Sequence, residues 1–384
     1  MARPTRRPAQ RSIFEEVAPG KAPPAPARPE RRQGSRAAVR IWLMVLFGLV
    51  TLMVVVGGLT RLTGSGLSIT EWRPITGALP PLSAEDWAAE FDRYREIPQY
   101  EIVNRGMTLA EFQVIYWWEW GHRQLGRLVG VVWAVGFAWL ALTRRIPPGW
   151  TWRLLGIGAL GGVQGAIGWW MVASGLGEGM IAVASYRLAV HLGLAFLILG
   201  LLGWWILRLG RPAAGLMQAR RLGDPRVAGL GAVLIGLAFL QIVLGALVAG
   251  IGAGRAYTDW PLMHGVFFPP EALDLEPLWR NLFENTAMAQ FAHRMGGYVL
   301  FAWGALVWVL AGGSTHRGTR GAHDLMMLVL TAQVGLGILT VIQGAPWQLA
   351  IAHQLLGVVL WVAILRARFF ARYPRVQSTI GRPA

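Results

Sequence analysis

Eight long apolar runs constrain the fold of this chain more than any other feature. Each run approaches the roughly 20 residues that an α-helix needs to cross the hydrocarbon core of a bilayer. Of the 384 residues, 54% are hydrophobic and only 15% are charged. The sequence therefore predicts an all-α integral membrane protein without a water-soluble domain, in which the last two spans are only just long enough. The predicted spans are 41–60, 114–141, 151–173, 184–207, 227–251, 287–311, 324–343 and 348–366.

The basic residues predict how these spans are oriented. The formal net charge is +16, and the arginines and lysines are concentrated in segments that alternate with the apolar runs. This is the positive-inside pattern, so we expect the basic segments and both termini to be cytoplasmic. The charge then reflects topology and attraction to anionic lipid headgroups rather than binding to nucleic acid. The basic segments are 1–40, 144–153, 208–226, 317–320 and 366–375.

The predicted domain organisation follows from these spans. Residues 1–40 are rich in Pro, Ala and Arg, which indicates a disordered cytoplasmic tail and favours a bacterial inner membrane over a mitochondrial one. The outer loop 61–113 is too long for a simple connection, and we expect it to cover the N-terminal bundle as a lid. The remaining predicted units are an N-terminal half at 41–210, a linker at 211–226, a C-terminal half at 227–367 and a tail at 368–384.

The two halves repeat the same features in the same order. Spans two and six begin with a His-Arg pair, spans three and seven contain Gln-x-x-x-Gly, and spans four and eight carry a second histidine near their start. Four spans per half predict a parallel repeat about an axis along the membrane normal. We therefore expect two pseudo-symmetric four-helix bundles. The repeated residues are His122-Arg123 and His293-Arg294, Gln164–Gly168 and Gln333–Gly337, and His191 and His353.

The four histidines within apolar runs are the candidate metal ligands. Ionisable residues at membrane depth are expensive and mark functional sites. Two imidazoles on facing helices of a bundle can ligate one haem iron. The chain has no cysteine, which excludes thiolate ligation and iron–sulfur clusters. A haem iron is favoured over zinc, since no acidic or thiolate ligand accompanies each pair. The alternative is that the histidines are buried, hydrogen-bonded packing residues. His264, His316 and His323 lie in loops and are expected at the surface.

One carboxylate distinguishes the two halves. Glu119 precedes His122 by three residues and shares its helical face, whereas the equivalent residue of the second half is Gln290. A site that only holds a cofactor needs no acid, so we expect the N-terminal half to be reactive and the C-terminal half to hold a resident cofactor. The alternative is that Glu119 pairs with Arg123 or Arg127 on its own helix.

The arginines that follow the first histidine of each half are candidate ligands for carboxylates. Arg123 and Arg294 could bind haem propionates through bidentate guanidinium contacts. A structural ion pair explains them equally well. The residues alone thus predict a haem-binding membrane protein. Besides an enzyme, they are consistent with a di-haem b-type cytochrome that passes electrons from quinol, or with a non-catalytic haem carrier.

Several segments resemble the haem A synthase family, and the similarity covers about residues 40–366. The chain is similar to the cysteine-free branch of that family, found in bacteria and mitochondria. It departs from the family at His264, where relatives have an acidic or amide residue. The segments that carry the resemblance are GGLTRLTGSGLSITEW, EFQVIYWWEWGHRQLGR, YTDWPLMHG, QFAHR and LAIAHQ.

The resemblance implies an activity and a role for each candidate residue. The activity is oxidation of the C8 methyl group of haem O to a formyl group, by successive hydroxylations and loss of water, giving haem A for haem-copper oxidases. It implies that His293 and His353 ligate a haem b cofactor, that His122 and His191 belong to the substrate site, and that Glu119 is catalytic. The expected partners are haem O synthase, which supplies the substrate, and an unidentified electron donor.

Overall fold

The computed structural model describes residues 29–375, and these are mostly helical. Eight of the helices have 25 or more residues and are apolar enough to cross a membrane, as predicted from the apolar runs. These eight are α1, α4, α5, α6, α8, α10, α11 and α12. The described α-helices are α1 (Pro29–Leu62), α2 (Ala84–Arg95), α3 (Pro98–Ile102), α4 (Leu109–Leu142), α5 (Thr151–Gly175), α6 (Ser185–Leu209), α7 (Ala213–Arg221), α8 (Pro225–Gly250), α9 (Asn281–Glu284), α10 (Thr286–Gly312), α11 (Arg317–Ile342) and α12 (Trp347–Arg372).

Helix α1 begins earlier than the sequence predicted. Residues 29–40 are helical, so the prediction of a disordered tail up to residue 40 was wrong for this part. The extension is anchored, because the Arg36 guanidinium donates to the carbonyl oxygen of Arg208, 2.9 Å away at the end of α6. A cation at a helix C-terminus satisfies unpaired carbonyls and is favoured by the helix dipole. The rest of the two predicted tails, residues 1–28 and 376–384, lies outside the described residues.

The last two spanning helices are also longer than predicted. Helices α11 and α12 have 26 residues each, because both continue beyond the apolar run into basic sequence. In the extension of α11, His323 is only 1% exposed, so the prediction that it is a surface residue was wrong. Its Nδ1 lies 2.8 Å from the carbonyl oxygen of Thr319, and Thr319 in turn donates to the carbonyl oxygen of Phe370 on α12. The early start of α11 therefore places His323 within a helix, where it is buried.

The first four spanning helices, α1, α4, α5 and α6, are called the first set, and the last four, α8, α10, α11 and α12, the second set. In the first set α1 contacts α4 and α6, and α5 contacts α4 and α6; in the second set α8 contacts α10 and α12, and α11 contacts α10 and α12. The sets meet where α6 packs against α8 and α12, and where α1 packs against α12. The largest core cluster lies at this junction and includes Phe196, Leu199 and Trp361. Helix α5 packs less closely against its neighbours than α11 does.

The connection between α1 and α4 folds over one end of the first set, as its length suggested. Helices α2 and α3 form part of it, and the fully buried Tyr94 packs in a cluster with Phe112 of α4 and Val172 of α5. Helix α4 begins at Leu109, where Thr108 and Glu111 form a capping box. Because α4 starts five residues earlier than predicted, His122 lies farther from its helix start than the other three histidines do.

Candidate functional site

Each of the four membrane histidines packs against a glycine of a neighbouring helix. A Cβ atom added at any of these glycines would lie 2.9–3.0 Å from the nearest atom of the imidazole ring, which is closer than side chains tolerate. Glycine therefore lets the facing helix approach the ring, as small residues do in membrane bundles. The pairs are Gly57 with His122, Gly168 with His191, Gly245 with His293, and Gly337 with His353.

Three of the histidines are also held by a glutamine. The side-chain amide nitrogen of this glutamine donates to the histidine's own backbone carbonyl oxygen at 2.9–3.0 Å and lies 3.1–3.3 Å from ring nitrogen atoms. In each case the glutamine precedes the contacting glycine by four residues, so both lie on one helical face. The contact fixes the histidine residue and limits rotation of its ring. The pairs are Gln164 with His191, Gln241 with His293, and Gln333 with His353.

His122 lacks this glutamine. The residue four positions before Gly57 is Met53, and a Cβ atom added at Gly126, one turn beyond His122, would lie 3.6 Å from the Met53 methyl group. Within residues 35–375, no side chain forms a hydrogen bond with the His122 ring. All four histidines therefore contact a glycine, but His122 lacks the glutamine amide that contacts the other three.

The two histidines of the second set have a spacing that fits a shared haem iron. The ring centroids of His293 and His353 are 6.5 Å apart, with an interplanar angle of 82°. Two metal–nitrogen bonds of about 2 Å, together with the distance from each nitrogen to its ring centre, require a centroid separation of about 6 Å. The donor set of two imidazoles between helices matches that of a b-type haem. In the first set, His122 and His191 are close enough to interact electrostatically.

Glu119 is buried and fully hydrogen-bonded. Its side chain is 3% exposed, and its Oε2 accepts from the Ser68 hydroxyl at 2.8 Å and from the Ile69 backbone N–H at 2.9 Å. Its Oε1 accepts from the Arg123 guanidinium at 2.6 Å and 3.1 Å. The alternative that Glu119 pairs with an arginine on its own helix is therefore confirmed for Arg123. This ion pair does not remove Glu119 from the site, since His122 lies one turn away on the same helix.

The second set contains a matching contact without a carboxylate. Gln290 is 2% exposed and donates to the carbonyl oxygen of Tyr257 at 2.9 Å, and Arg294 donates to the same oxygen at 3.1 Å. In the first set Arg123 donates to the carbonyl oxygen of Ile69 at 2.9 Å. The contacted residues begin two similar segments, Ile-Thr-Glu-Trp at 69–72 and Tyr-Thr-Asp-Trp at 257–260. In both sets an arginine therefore anchors the connection through a backbone carbonyl oxygen. Only the first set adds a carboxylate to this contact.

Both candidate propionate-binding arginines are already engaged with the polypeptide. Besides Ile69, Arg123 donates to the carbonyl oxygen of Glu71, and Arg294 donates to that of Leu262 at 2.8 Å. The Nε of Arg294 is buried without a partner among the described residues. Arg123 also lines a cavity of about 370 Å³ beneath the α1–α4 connection. Propionate binding by Arg123 and Arg294 stays a prediction.

His264 lies in an exposed turn, as the sequence predicted. Its φ angle is 51°, and the turn is closed by Asp259, whose carboxylate accepts from the backbone N–H groups of His264 and Gly265. Partial burial raises the pKa of Asp259, but these two hydrogen bonds and the nearby Arg294 outweigh it and lower the pKa below its usual value. The turn is therefore held by an ionised carboxylate at neutral pH.

Sequence reasoning singled out all four histidines and Glu119, whose roles stay predictions, but it missed part of their surroundings. Gln241 and Gly245 were missed, although QIVLG repeats the Gln-x-x-x-Gly pattern found in spans three and seven. Gly57 was missed because Met53 interrupts the pattern in the first span. The contacts of Ser68 and Ile69 with Glu119 had no detectable signal, since they join residues about 50 positions apart.

Comparison with known proteins gives one consistent result. The model of the family of cytochrome oxidase assembly proteins, COX15-CtaA, matches residues 40–365. The chain is 60% identical over 380 residues to the Heme A synthase of Dinoroseobacter shibae, covering 98% of this chain and 99% of the relative. It is 60% identical over 378 residues to the Heme A synthase of Ruegeria pomeroyi, with coverage of 97% and 99%. It is 58% identical over 381 residues to that of Cereibacter sphaeroides, with coverage of 96% and 97%.

Proposed function

The chain belongs to the cytochrome oxidase assembly family COX15-CtaA, and from this membership and the site geometry we propose that it is a haem A synthase. The reaction converts the C8 methyl group of haem O to a formyl group by successive hydroxylations and loss of water. The observation that carries this proposal is the asymmetry between two similar histidine pairs, only one of which has a buried carboxylate beside it. One site is thereby equipped for chemistry and the other for holding a cofactor.

His293 and His353 would hold the iron of a haem b cofactor through their imidazole nitrogens. Their centroid separation of 6.5 Å supports this, as do the glutamine and glycine that support each ring. Neighbours that hold a histidine in place keep it oriented towards a metal. When bound, haem b supplies one-electron transfer between an electron donor and the substrate site.

His122 and His191 form the proposed substrate site for haem O. Helix α5, which contributes Gly168 and Gln164 to this site, packs more loosely than its counterpart α11. Looser packing suits a pocket that must admit and release a porphyrin with a long apolar tail. The matched contacts in both sets also support a parallel repeat with two pseudo-symmetric bundles.

Glu119 is the proposed catalytic residue. Its Oε2 is held by Ser68 and Ile69, and its Oε1 by Arg123, so the carboxylate is fixed one helical turn from His122. A fixed carboxylate can accept or return a proton as the methyl group is oxidised, and it can stabilise positive charge that develops there. Gln290 has no titratable proton, which accounts for the assignment of chemistry to the first half.

The proposed location is the bacterial inner membrane, with both termini in the cytoplasm and the haem sites towards the periplasm. The eight spanning helices and the bacterial relatives support a multi-pass membrane protein. The arginines at the ends opposite the histidines support this orientation. The proposed partners are the lipid bilayer, haem O synthase and an electron donor.

The decisive experiment is pigment analysis of cells that express the chain with and without haem O synthase. We expect haem A only when both proteins are present, detected by the mass and the pyridine haemochrome spectrum of the extracted haems. A di-haem quinol cytochrome would leave haem O unconverted while changing quinol oxidation. A haem carrier would bind haem O and release it unchanged. Either of these two results would overturn the proposal.

A further inference from the structure

The difference between Met53 and Gln241 separates His122 from the other three histidines. Both residues precede by four positions the glycine that contacts a histidine, and both lie against the glycine one turn beyond that histidine. A Cβ atom at Gly297 would lie 3.4 Å from the Gln241 amide nitrogen, just as one at Gly126 would lie 3.6 Å from the Met53 methyl group. The two residues therefore occupy equivalent places, and only Gln241 binds the histidine.

The ring of His122 also has a different orientation. For His191, His293 and His353 the ring atom nearest to the glycine Cβ position is Cε1, with both nitrogens farther away. For His122 the nearest atom is Nε2, at 2.9 Å. The imidazole without a glutamine is thus the one whose ring is turned differently from the other three.

A missing partner of this kind has a predictable effect on metal binding. The glutamine holds each of the other three histidines through its bond to the histidine's backbone carbonyl oxygen, and removing a group that orients a ligating histidine typically costs 10–100-fold in metal affinity. Met53 offers no donor or acceptor comparable with an amide, so no side-chain hydrogen bond among the described residues opposes movement of the His122 ring away from an iron atom. A cofactor site must avoid this freedom, whereas a site that binds haem O and releases haem A benefits from it.

We propose that His122 is the exchangeable ligand of the substrate haem and that Met53 is the positioning residue that makes it exchangeable. His191, held by Gln164, is then the ligand that stays in place. This inference rests on the proposed function, because it assumes that the pair His122 and His191 holds the substrate. In this proposal His122 leaves the iron of the substrate haem during turnover. Met53 permits this, because it stands where a glutamine would hold the histidine.

The test measures how fast each site loses haem. Purified full-length protein is loaded with ferric iron protoporphyrin IX, and transfer to excess apomyoglobin is followed by the Soret band. We expect a fast phase from the substrate site and a slow phase from the cofactor site. Met53→Gln should slow the fast phase about tenfold, and Gln241→Met should accelerate the slow phase about tenfold. Neither variant should alter the other phase.

Met53→Leu is the matched control, since it removes the thioether without adding an amide, and it should leave both rates unchanged. If Met53→Leu slows release as much as Met53→Gln does, or if Met53→Gln has no effect in protein with a normal low-spin ferric spectrum, the inference is wrong. If Met53→Gln does not fold, Gln241→Met still decides, because an unchanged slow phase contradicts the role given to the glutamine. Haem A formation by the wild-type chain is measured separately, so a failure of the proposed function is recognised independently of these rates.

Discussion

At the scale of single residues, the two sites differ by only a few side chains. Glu119 and Gln290 occupy equivalent places and have the same length, yet the first accepts four hydrogen bonds and the second donates one to Tyr257. A carboxylate needs donors around it, and the structure provides them through Ser68, Ile69 and Arg123. The buried charge is therefore compensated while remaining next to His122.

Replacing Glu119 with glutamine tests this difference directly. Glu119→Gln removes the titratable group and places an amide beside donors, so we expect haem A formation to fall by at least about 100-fold. Haem O should still bind, and this is checked by extracting the pigments from purified protein. Glu111→Gln, at an exposed capping position on the same helix, is the control and should retain activity. Normal haem A yield from Glu119→Gln would contradict the catalytic role.

The glycine contacts give a second test with a control on the same helix. Gly337→Ala would place a methyl group 2.9 Å from the His353 ring, whereas a Cβ atom at Gly335 would meet nothing within 4 Å. We therefore expect Gly337→Ala to displace the ring and reduce haem b content severalfold or more, and Gly335→Ala to leave it unchanged. The haem-to-protein ratio and the low-spin spectrum measure the effect. Equal behaviour of the two variants would show that the glycine does not set the ligand position.

At the scale of elements, the sequence predicted the existence of all eight spans but not their ends. The apolar runs mark the part of a helix that must face lipid. Helices α1, α11 and α12 continue past these runs into basic sequence. Arg36 at the start of α1 is an example, since its contact with the end of α6 joins positions 172 residues apart. The burial of Thr319 and His323 goes with such a contact, since Thr319 donates to the carbonyl oxygen of Phe370 on α12. Long-range contacts of this kind leave no periodic signal in the sequence.

The connection that contains α2 and α3 is held by a buried hydrogen-bond network. The Tyr94 hydroxyl donates to Gln99 at 3.1 Å and accepts from Asn104 at 2.6 Å, and Gln99 donates to the carbonyl oxygen of Gly64. Tyr94→Phe would leave buried polar groups without a partner, at a cost of about 1–3 kcal/mol. We expect faster proteolysis of this connection in detergent-solubilised protein, measured by limited digestion.

Tyr100→Phe is the control for this network. Its hydroxyl forms no hydrogen bond within the described part of the chain, and its ring packs beside Tyr94. The digestion rate of Tyr100→Phe should therefore match that of the wild type. If Tyr94→Phe is digested no faster than Tyr100→Phe, the network does not hold the connection in place.

At the scale of the whole molecule, the two sets of helices are joined next to the histidines. Gln354, which follows His353, donates to the carbonyl oxygen of Val54 on α1 at 2.6 Å. Arg61, at the C-terminal end of α1, donates to the carbonyl oxygen of Gly250 at the end of α8. Helix α1 therefore contacts His122 of its own set and the neighbour of a histidine in the other set. The sequence repeat could predict two similar halves, but not which helices would join them.

The arginine distribution over the whole molecule predicts its orientation in the membrane. The connections between α4 and α5, α6 and α8, and α10 and α11 lie at the same end as the start of α1 and the end of α12, and basic residues concentrate there. A bacterial phosphatase inserted at the exposed Gly179, between α5 and α6, should be active because it reaches the periplasm. The same phosphatase inserted at the exposed Arg144, between α4 and α5, should be inactive, whereas a fluorescent protein at that position should fold in the cytoplasm. Because the histidines lie nearer to the Gly179 end of their helices, an active phosphatase at Arg144 would place the haem sites on the cytoplasmic side and reverse the proposed topology.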